Sequence, residues 1–284
     1  MANLAAGNRA RPIGVFDSGI GGLTVLHELL VALPREDFLY LGDTARFPYG
    51  ERSREELEHF SVEIAEELLG RRVKLLVVAC NSATSAALGA LQQRMMDTTL
   101  GVDVLGVVRP EAVQAVASTR SGRIGLLATP TTVSSRAYEH AVQAVDPHVT
   151  LTAVPCPTLA PIIQAGAQFD ERVVQSVREA CAPLKAAEVD TVILGCTHYP
   201  LIAPMLQRML GPGVTLITSG AALARQVEHA LSTRDLLNPR AGEGAYSFLC
   251  TGDVETFREQ STRFLQMPLG PVEQVRLAAA EAIG

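Results

Sequence analysis

Cys80 stands at the end of a short apolar run and is followed by two polar residues, Asn81 and Ser82. The run, residues 75–79, has the length of a strand, and a helix with Asn81 or Ser82 as its N-cap is expected after it. The positive end of a helix dipole lowers the pKa of a nearby thiol, and first-turn amides bind carboxylates. A packed core cysteine is the ordinary alternative, but the polar neighbours favour a wetted site.

Cys196 repeats this arrangement and adds a histidine. It follows the apolar run 191–194 and Gly195, and it precedes Thr197 and His198. A histidine at this distance can polarise a thiol or accept its proton. A single Cys-x-His is a weak zinc signal, because no second cysteine or histidine pair has ligand spacing. The pattern therefore indicates acid–base chemistry without a metal.

Two turn-rich loops follow the first two apolar runs. Asp17 and Ser18 open a glycine-rich loop that is neither a P-loop nor a dinucleotide fingerprint, although its glycines allow close backbone approach to a small ligand. A structural Asx-turn is an equal alternative for Asp17. In the second loop, Tyr49 and Gly50 could offer a hydroxyl and an amide to a carboxylate.

Short apolar runs alternate with amphipathic stretches along the whole chain, which favours parallel sheets covered by helices. The predicted strands are residues 13–16, 38–41, 75–79, 104–107, 124–128, 151–154, 191–194, 214–218 and 246–250.

The clearest predicted helix runs from Arg54 to about Leu69, and Ser53 with Glu56 forms a capping box at its start. Its apolar face and its charged face are both well defined. The apolar face comprises Leu57, Phe60, Ile64 and Leu68, and the charged residues expected in solvent are Glu55, Glu58, Glu63 and Glu66.

Two segments recur, in the same order and at nearly the same offset, in the second half of the chain. Residues 13–18 resemble residues 124–129, and residues 75–82 resemble residues 191–198. Chance similarity between hydrophobic strands is one explanation, and two similar α/β domains are the other. Because ligands bind outside the carboxyl ends of parallel strands, two facing domains would place the cysteines on opposite walls of one cleft.

Two thiols on opposite faces of a small molecule suit two-base racemisation. One thiolate removes a proton from a carbon acid while the other thiol donates a proton to the opposite face. Asp17 near Cys80 and His198 near Cys196 would be the two auxiliary groups.

Composition excludes several other classes. The 284 residues are 48% hydrophobic and carry a net charge of −6, which argues against disorder, nucleic-acid binding and anionic membranes. We expect a soluble cytoplasmic protein, since no apolar run reaches the roughly 20 residues of a membrane span. The two lysines, Lys74 and Lys185, do not stand where a pyridoxal Schiff base would need one.

Five motifs stand out along the chain: Phe16-Asp17-Ser18-Gly19-Ile20-Gly21-Gly22, Gly42-Asp43-Thr44-Ala45-Arg46, Pro48-Tyr49-Gly50, Cys80-Asn81-Ser82-Ala83-Thr84 and Leu194-Gly195-Cys196-Thr197-His198-Tyr199-Pro200-Leu201. In this order, and over almost the whole chain, they resemble the glutamate racemase family, and Thr251-Gly252-Asp253 also fits. The resemblance implies a cofactor-independent enzyme that interconverts L- and D-glutamate, supplying D-glutamate for peptidoglycan.

The resemblance also implies an architecture: two pseudo-symmetric α/β domains with mainly parallel sheets flanked by helices, and the active site in the cleft between them. We expect a discontinuous first domain, residues 1–106 plus 220–284, and a second domain, residues 107–219. A homodimer is expected, with small-molecule glutamate as the substrate and no nucleic acid, membrane, metal or cofactor as a partner.

The family pattern assigns roles to particular residues of this chain. Cys80 would act on D-glutamate and Cys196 on L-glutamate, assisted by Asp17 and His198 respectively. The residues expected to hold the substrate are Asp17, Ser18, Tyr49, Gly50, Asn81, Ser82, Thr197 and His198.

The chain departs from the family pattern at four places, none of them a thiol. Ser82 replaces a threonine, Gln164 replaces a glutamate, Thr218 replaces an aspartate and Glu111 replaces a glycine. If the usual glutamate holds His198 as an imidazolium, Gln164 leaves His198 neutral over more of the pH range. These changes bear on the charge balance near Cys196.

Related activities are the main alternatives. The superfamily resemblance extends to aspartate racemase, hydantoin racemase, maleate isomerase and arylmalonate decarboxylase, and the presence of both cysteines disfavours the one-thiol decarboxylase. Glutamate is preferred to aspartate on motif similarity alone. A gyrase-binding role is disfavoured, since only about a dozen residues precede the first predicted strand.

Overall fold

The computed structural model describes residues 8–97, 101–166 and 171–277. Within these ranges, ten parallel strands form two sheets. The strands are β1 Ile13–Asp17, β2 Phe38–Gly42, β3 Leu75–Val78, β4 Asp103–Gly106, β5 Arg123–Ala128, β6 Thr150–Pro155, β7 Thr191–Gly195, β8 Thr215–Ile217, β9 Tyr246–Cys250 and β10 Val272–Gln274. One sheet has the order β10-β9-β2-β1-β3-β4 and the other β6-β5-β7-β8.

Helices cover the faces of both sheets. They are α1 Leu23–Ala32, α2 Arg54–Gly70, α3 Asn81–Asp97, α4 Val108–Ser118, α5 Pro130–Ser134, α6 Ala137–Val145, α7 Leu159–Gln164, α8 Glu171–Ala186, α9 Ala203–Leu210, α10 Ser219–Thr233 and α11 Val254–Leu265, with a 3₁₀ helix at Tyr199–Ile202 before α9. The predicted α/β class with two mainly parallel sheets flanked by helices is confirmed.

All nine predicted strands form, with ends that shift by a residue or two. The strands β1, β2, β3 and β7 are buried at every position, which is why they read as continuous apolar runs. The tenth strand, Val272–Gln274, is a three-residue edge strand with two exposed positions. Its sequence therefore lacks the apolar signal on which the prediction relied.

The predicted capping box starts α2, because the Ser53 side chain accepts from Glu56 N and the Glu56 side chain accepts from Ser53 N. One expectation for this helix is wrong. Glu63 does not face solvent: its side chain is 6% exposed and forms an ion pair with Arg46. Since Arg46 lies on the loop after β2, helical periodicity alone could not reveal this pairing.

The chain crosses from one sheet to the other and back. Residues 13–106 and 246–274 supply the six-stranded sheet, and residues 123–217 supply the four-stranded sheet. Helix α10 then packs against α1, which lies beside the first sheet. This sheet membership supports the proposed domains, 1–106 plus 220–284 and 107–219.

No helix within the described ranges is long and apolar enough to span a membrane.

Lys74 is a structural residue at the entry to β3. Its ammonium pairs with Glu36, and both side chains are 2% exposed. Lys74 Nζ also donates to the carbonyl oxygens of Arg9 and Leu236, at 2.6 and 2.9 Å. Burial lowers the pKa of Lys74, and the Glu36 carboxylate opposes that shift. The ammonium therefore links three segments that are distant in sequence.

We expect Lys74→Met to lower the free energy of unfolding by about 3–5 kcal/mol, because it leaves the Glu36 carboxylate buried without its cation. The exposed Lys185 provides the matched control, and Lys185→Met should change stability by less than about 0.5 kcal/mol. Urea denaturation measures both. Equal stabilities of the two variants would contradict a structural role for Lys74.

Candidate active site

One cavity lies at the carboxyl ends of strands from both sheets. Ser18 follows β1, Cys80 lies just beyond β3, Thr129 follows β5 and Cys196 follows β7, and all four line the cavity. It encloses about 560 Å³ of empty space when its open mouth is included.

Nine of the ten residues predicted for the site line this cavity. They are Ser18, Tyr49, Gly50, Cys80, Asn81, Ser82, Cys196, Thr197 and His198. Asp17 lies directly behind them, where its side chain accepts from Gly19 N at 2.9 Å and from Thr197 Oγ1 at 3.2 Å. The hydrogen bond to Gly19 forms the Asx-turn that was one of the two alternatives for Asp17, and the bond to Thr197 links the end of β1 to the segment after β7.

The glycine-rich loop after β1 touches the segment after β7. A Cβ on Gly21 would lie 2.4 Å from Thr197 Oγ1 and 2.5 Å from the His198 ring, so only glycine fits there. Thr24 at the start of α1 donates to the carbonyl oxygen of Thr197 at 3.1 Å. The absence of a side chain at Gly21 thus lets the two sheets share one site.

Cys80 itself occupies the position before the first residue of α3, so the expected N-cap of Asn81 or Ser82 is wrong. Its sulfur accepts from Ala83 N at 3.4 Å, and its carbonyl oxygen accepts from Thr84 N at 2.8 Å. The thiol is therefore closer to the helix terminus than the sequence predicted. Cys196 differs, since a 3₁₀ helix begins three residues after it.

The pKa of Cys80 is raised to about 12, opposite to the expected direction. Burial is the largest cause, and the nearby Asp17 carboxylate adds to it. The Ala83 amide does lower the pKa of the thiol, as a helix terminus should, but desolvation outweighs this contribution. The sequence predicted the helix that follows Cys80. It did not reveal how deeply the thiol is buried, because that depends on how the whole cavity is assembled.

Cys196 and His198 form the second acid–base pair. Cys196 Sγ lies 3.8 Å from His198 Nδ1, within hydrogen-bond range for sulfur. On the other side of the ring, His198 Nε2 lies 2.9 Å from Gln164 Oε1. An amide oxygen accepts only, so this contact places the imidazole proton on Nε2 and leaves Nδ1 free to accept from the thiol.

Burial also sets the charge state of this pair. It lowers the pKa of His198 to about 3 and raises the pKa of Cys196 well above its usual value. His198 is therefore a neutral imidazole beside a neutral Cys196 thiol at pH 7. Phe47 and Phe264 pack against the ring, with centroids at 5.5 and 5.3 Å, and help to exclude water.

Tyr49 lines the cavity, but its hydroxyl is already used. It donates to Asp43 Oδ2, and Arg46 Nε donates to the same oxygen at 2.6 Å. The Tyr49 hydroxyl was expected to bind a carboxylate of the ligand, but here it binds the carboxylate of Asp43. Together with Arg46, this contact fixes the loop. The backbone amides of Tyr49 and Gly50, which both line the cavity, are the donors that this loop can offer to a ligand.

Thr129 is the main cavity residue that the site prediction missed. Its Oγ1 lies 2.9 Å from Ser82 Oγ, so it joins the end of β5 to the first turn of α3. The signal was present, because the internal repeat aligns residues 13–18 with residues 124–129 and thus Ser18 with Thr129.

The other three cysteines, Cys156, Cys181 and Cys250, are buried free thiols and are not among the cavity residues. Across the described ranges, no group of three or more His, Cys, Asp or Glu side chains is arranged to hold a metal ion.

The fold and the cavity define a two-sheet α/β protein with a paired-thiol site. The family model for Asp/Glu/hydantoin racemases matches residues 19–227, and the chain belongs to that family. Among its relatives, the glutamate racemase of Geobacter metallireducens is 43% identical over 95% of this chain and 98% of its own length.

Two solved structures are similar over nearly their whole length. A glutamate racemase isoform from Bacillus anthracis has a TM-score of 0.89 at 38% identity, covering 95% of this chain and 98% of that one. The Francisella tularensis glutamate racemase, solved in complex with D-glutamate, has a TM-score of 0.87 at 31% identity, covering 96% and 100%.

Gln164→Glu should raise the pKa of His198, because a carboxylate at this distance favours the imidazolium. An NMR titration of the imidazole should show the wild-type ring neutral down to about pH 3 and the variant ring protonated at higher pH. Gln207→Glu adds the same charge on α9, away from the cavity, and should leave the titration unchanged. Superimposable curves for Gln164→Glu and wild type would contradict the contact.

Proposed function

We propose that this protein is a glutamate racemase that interconverts L- and D-glutamate through Cys80 and Cys196 without a cofactor. The observation that carries the proposal is that these two thiols, which follow strands of different sheets, line one cavity. The family assignment and the glutamate racemases among its relatives support glutamate over the alternative substrates of the superfamily.

The reaction exchanges the Cα proton between the two faces of the substrate. One cysteine, as the thiolate, takes the proton from Cα, and the other cysteine donates its S–H proton to the opposite face of the carbanion. Each turnover leaves the two sulfurs with their protonation states exchanged. We assign Cys80 to D-glutamate and Cys196 to L-glutamate, following the family pattern.

Each thiol needs a group that accepts its proton, because burial raises the pKa of both sulfurs. For Cys196 that group is His198, whose unprotonated Nδ1 faces the sulfur. For Cys80 it is Asp17, which lies close enough for its charge to raise the pKa of the thiol. Burial raises the pKa of Asp17 as well, which makes it a better base than an exposed aspartate.

The substrate's charged groups match the polar lining of the cavity. Amides at the first turn of α3 and at Tyr49 and Gly50 are donors suited to its two carboxylates. The side chains we assign to substrate binding are Asp17, Ser18, Asn81, Ser82, Thr197 and His198.

Following the family resemblance, we further propose that the D-glutamate product supplies peptidoglycan synthesis in the cytoplasm. We also propose that the enzyme is a homodimer. Neither nucleic acid nor membrane has a part in this function.

We expect Cys80→Ala and Cys196→Ala each to abolish racemisation in both directions, because each direction needs an acid on one face and a base on the other. A positioned proton-transfer group contributes roughly 10²–10⁴-fold. Polarimetry or circular dichroism of a solution that starts from either enantiomer measures the loss. Cys156→Ala, Cys181→Ala and Cys250→Ala are matched controls and should keep most activity. Wild-type turnover in either active-site variant would refute the two-thiol mechanism.

Activity should also survive removal of metals and carbonyl cofactors. Racemisation by thiols alone predicts unchanged rates after exhaustive treatment with a chelator and, separately, with hydroxylamine. A loss of activity that the added metal or pyridoxal phosphate restores would show that the proposed chemistry is incomplete.

A further inference from the structure

Glu111 on α4 is a buried carboxyl group that the proposed reaction does not use. It is 0% exposed, and its pKa is raised to about 8 by burial. No Lys or Arg is among the groups that hydrogen-bond to it in the described structure. Its partners are Asn81, Tyr138 and Ser219.

The contacts of Glu111 divide between its two oxygens. Oε2 accepts from Asn81 Nδ2 at 3.2 Å and from the Tyr138 hydroxyl, and Oε1 accepts from the Ser219 hydroxyl. Tyr138 OH also lies 2.7 Å from Asn81 Nδ2. Glu111 and Tyr138 thus share the amide N–H₂ group of a residue that lines the cavity.

The other end of the Asn81 amide is unpaired. Its Oδ1 is buried and has no hydrogen-bond partner in the described structure, and the residue as a whole is only 2% exposed. A buried carbonyl oxygen without a donor costs free energy unless a ligand supplies one. Oδ1 and Nδ2 are bonded to the same planar carbon, so with Nδ2 directed at Glu111 and Tyr138, Oδ1 points away from both of these partners. Asn81 is one of the residues that line the cavity.

We propose that Glu111 is a positioning residue that fixes the Asn81 amide so that Oδ1 faces the substrate and accepts a hydrogen bond from its ammonium group. This inference rests on the proposed function for the identity of the substrate. It makes the site selective for an α-amino acid over a dicarboxylate of the same length without the amino group.

The arrangement holds in both protonation states of Glu111. When the carboxyl is protonated, its O–H at Oε1 donates to Ser219 Oγ, and Oε2 still accepts from Asn81. Glu111→Gln can reproduce this pattern, with the amide oxygen at the Oε2 position and the N–H₂ group donating to Ser219. Glu111→Leu keeps a similar volume and removes the acceptor of both Asn81 Nδ2 and the Tyr138 hydroxyl. The Asn81 amide is then held only through Tyr138 OH, which has itself lost the carboxyl group that fixed it.

The test compares glutamate with glutarate, which has the same two carboxylates and no amino group. For wild type, Glu111→Leu, Glu111→Gln and Ser219→Ala, we would measure kcat and KM for both glutamate enantiomers and the Ki of glutarate as a competitive inhibitor. Ser219→Ala is the matched control, because it removes a bond to the same carboxyl group and none to Asn81.

For Glu111→Leu we expect KM for glutamate to rise about 10–100-fold, the usual effect of a hydrogen bond to a charged group, while Ki for glutarate changes less than about threefold. Glu111→Gln and Ser219→Ala should stay within about threefold for both ligands. An unchanged KM in Glu111→Leu, or equal weakening of both ligands, would overturn the proposal.

Wild-type protein that fails to racemise glutamate refutes the proposed function, and calorimetric affinities for glutamate and glutarate then test the Asn81 orientation by the same comparison. If Glu111→Leu does not fold, Tyr138→Phe carries the test, because it removes the other partner of Asn81 Nδ2. Tyr138→Phe should raise KM for glutamate about 3–10-fold with glutarate unaffected, and equal effects on both would overturn the proposal.

Discussion

Desolvation of the two thiols is the constraint on which the rest of the site depends. Cys80 and Cys196 are 4% and 7% exposed, and burial is the largest cause of the raised pKa of each. A thiolate is costly at this depth of burial, whereas the reaction that we propose removes an α-proton, which is a weak acid and needs a strong base. A thiol with a raised pKa gives a more basic thiolate, provided that an acceptor in contact takes its proton. His198 Nδ1 lies 3.8 Å from Cys196 Sγ, and Asp17 lies close enough to Cys80 for its charge to raise the pKa of that thiol. Both side chains are themselves buried, and they are the acceptors that we propose.

The sequence predicted much of this architecture because the relevant signals are local. The central strands are buried on both faces, so they stand out as short apolar runs, and the residues after them fall at the same edge of each sheet. Features that depend on distant partners were missed. Glu63 pairs with an arginine from the loop after β2, and the Tyr49 hydroxyl is held by Asp43. The pKa of Cys80 is set mainly by the burial of its thiol and less by the helix that begins after it.

The charges around the cavity are arranged differently from the family pattern inferred from sequence. Gln164 gives His198 a neutral partner, whereas Glu111 places a carboxyl group near Asn81 on the other side of the site. Both are hydrogen-bonded to residues that line the cavity, and neither lines it. Both departures therefore lie behind the lining residues, and the thiols and the polar side chains of the cavity keep the family pattern apart from Ser82.

The central claim, that two thiols act on opposite faces of the substrate, is tested most directly by deuterium incorporation at early times. Wild-type enzyme would be incubated with L-glutamate in D₂O, and both enantiomers would be separated and analysed by mass spectrometry before 5–10% conversion. Two separate thiols predict one deuterium at Cα of the D-glutamate formed and almost none in the recovered L-glutamate. The deuteron is delivered by the thiol on the product face, whereas the thiol on the substrate face can return only the protium that it has just removed. Comparable deuterium in recovered substrate and product would mean that one base serves both faces, and would contradict the account.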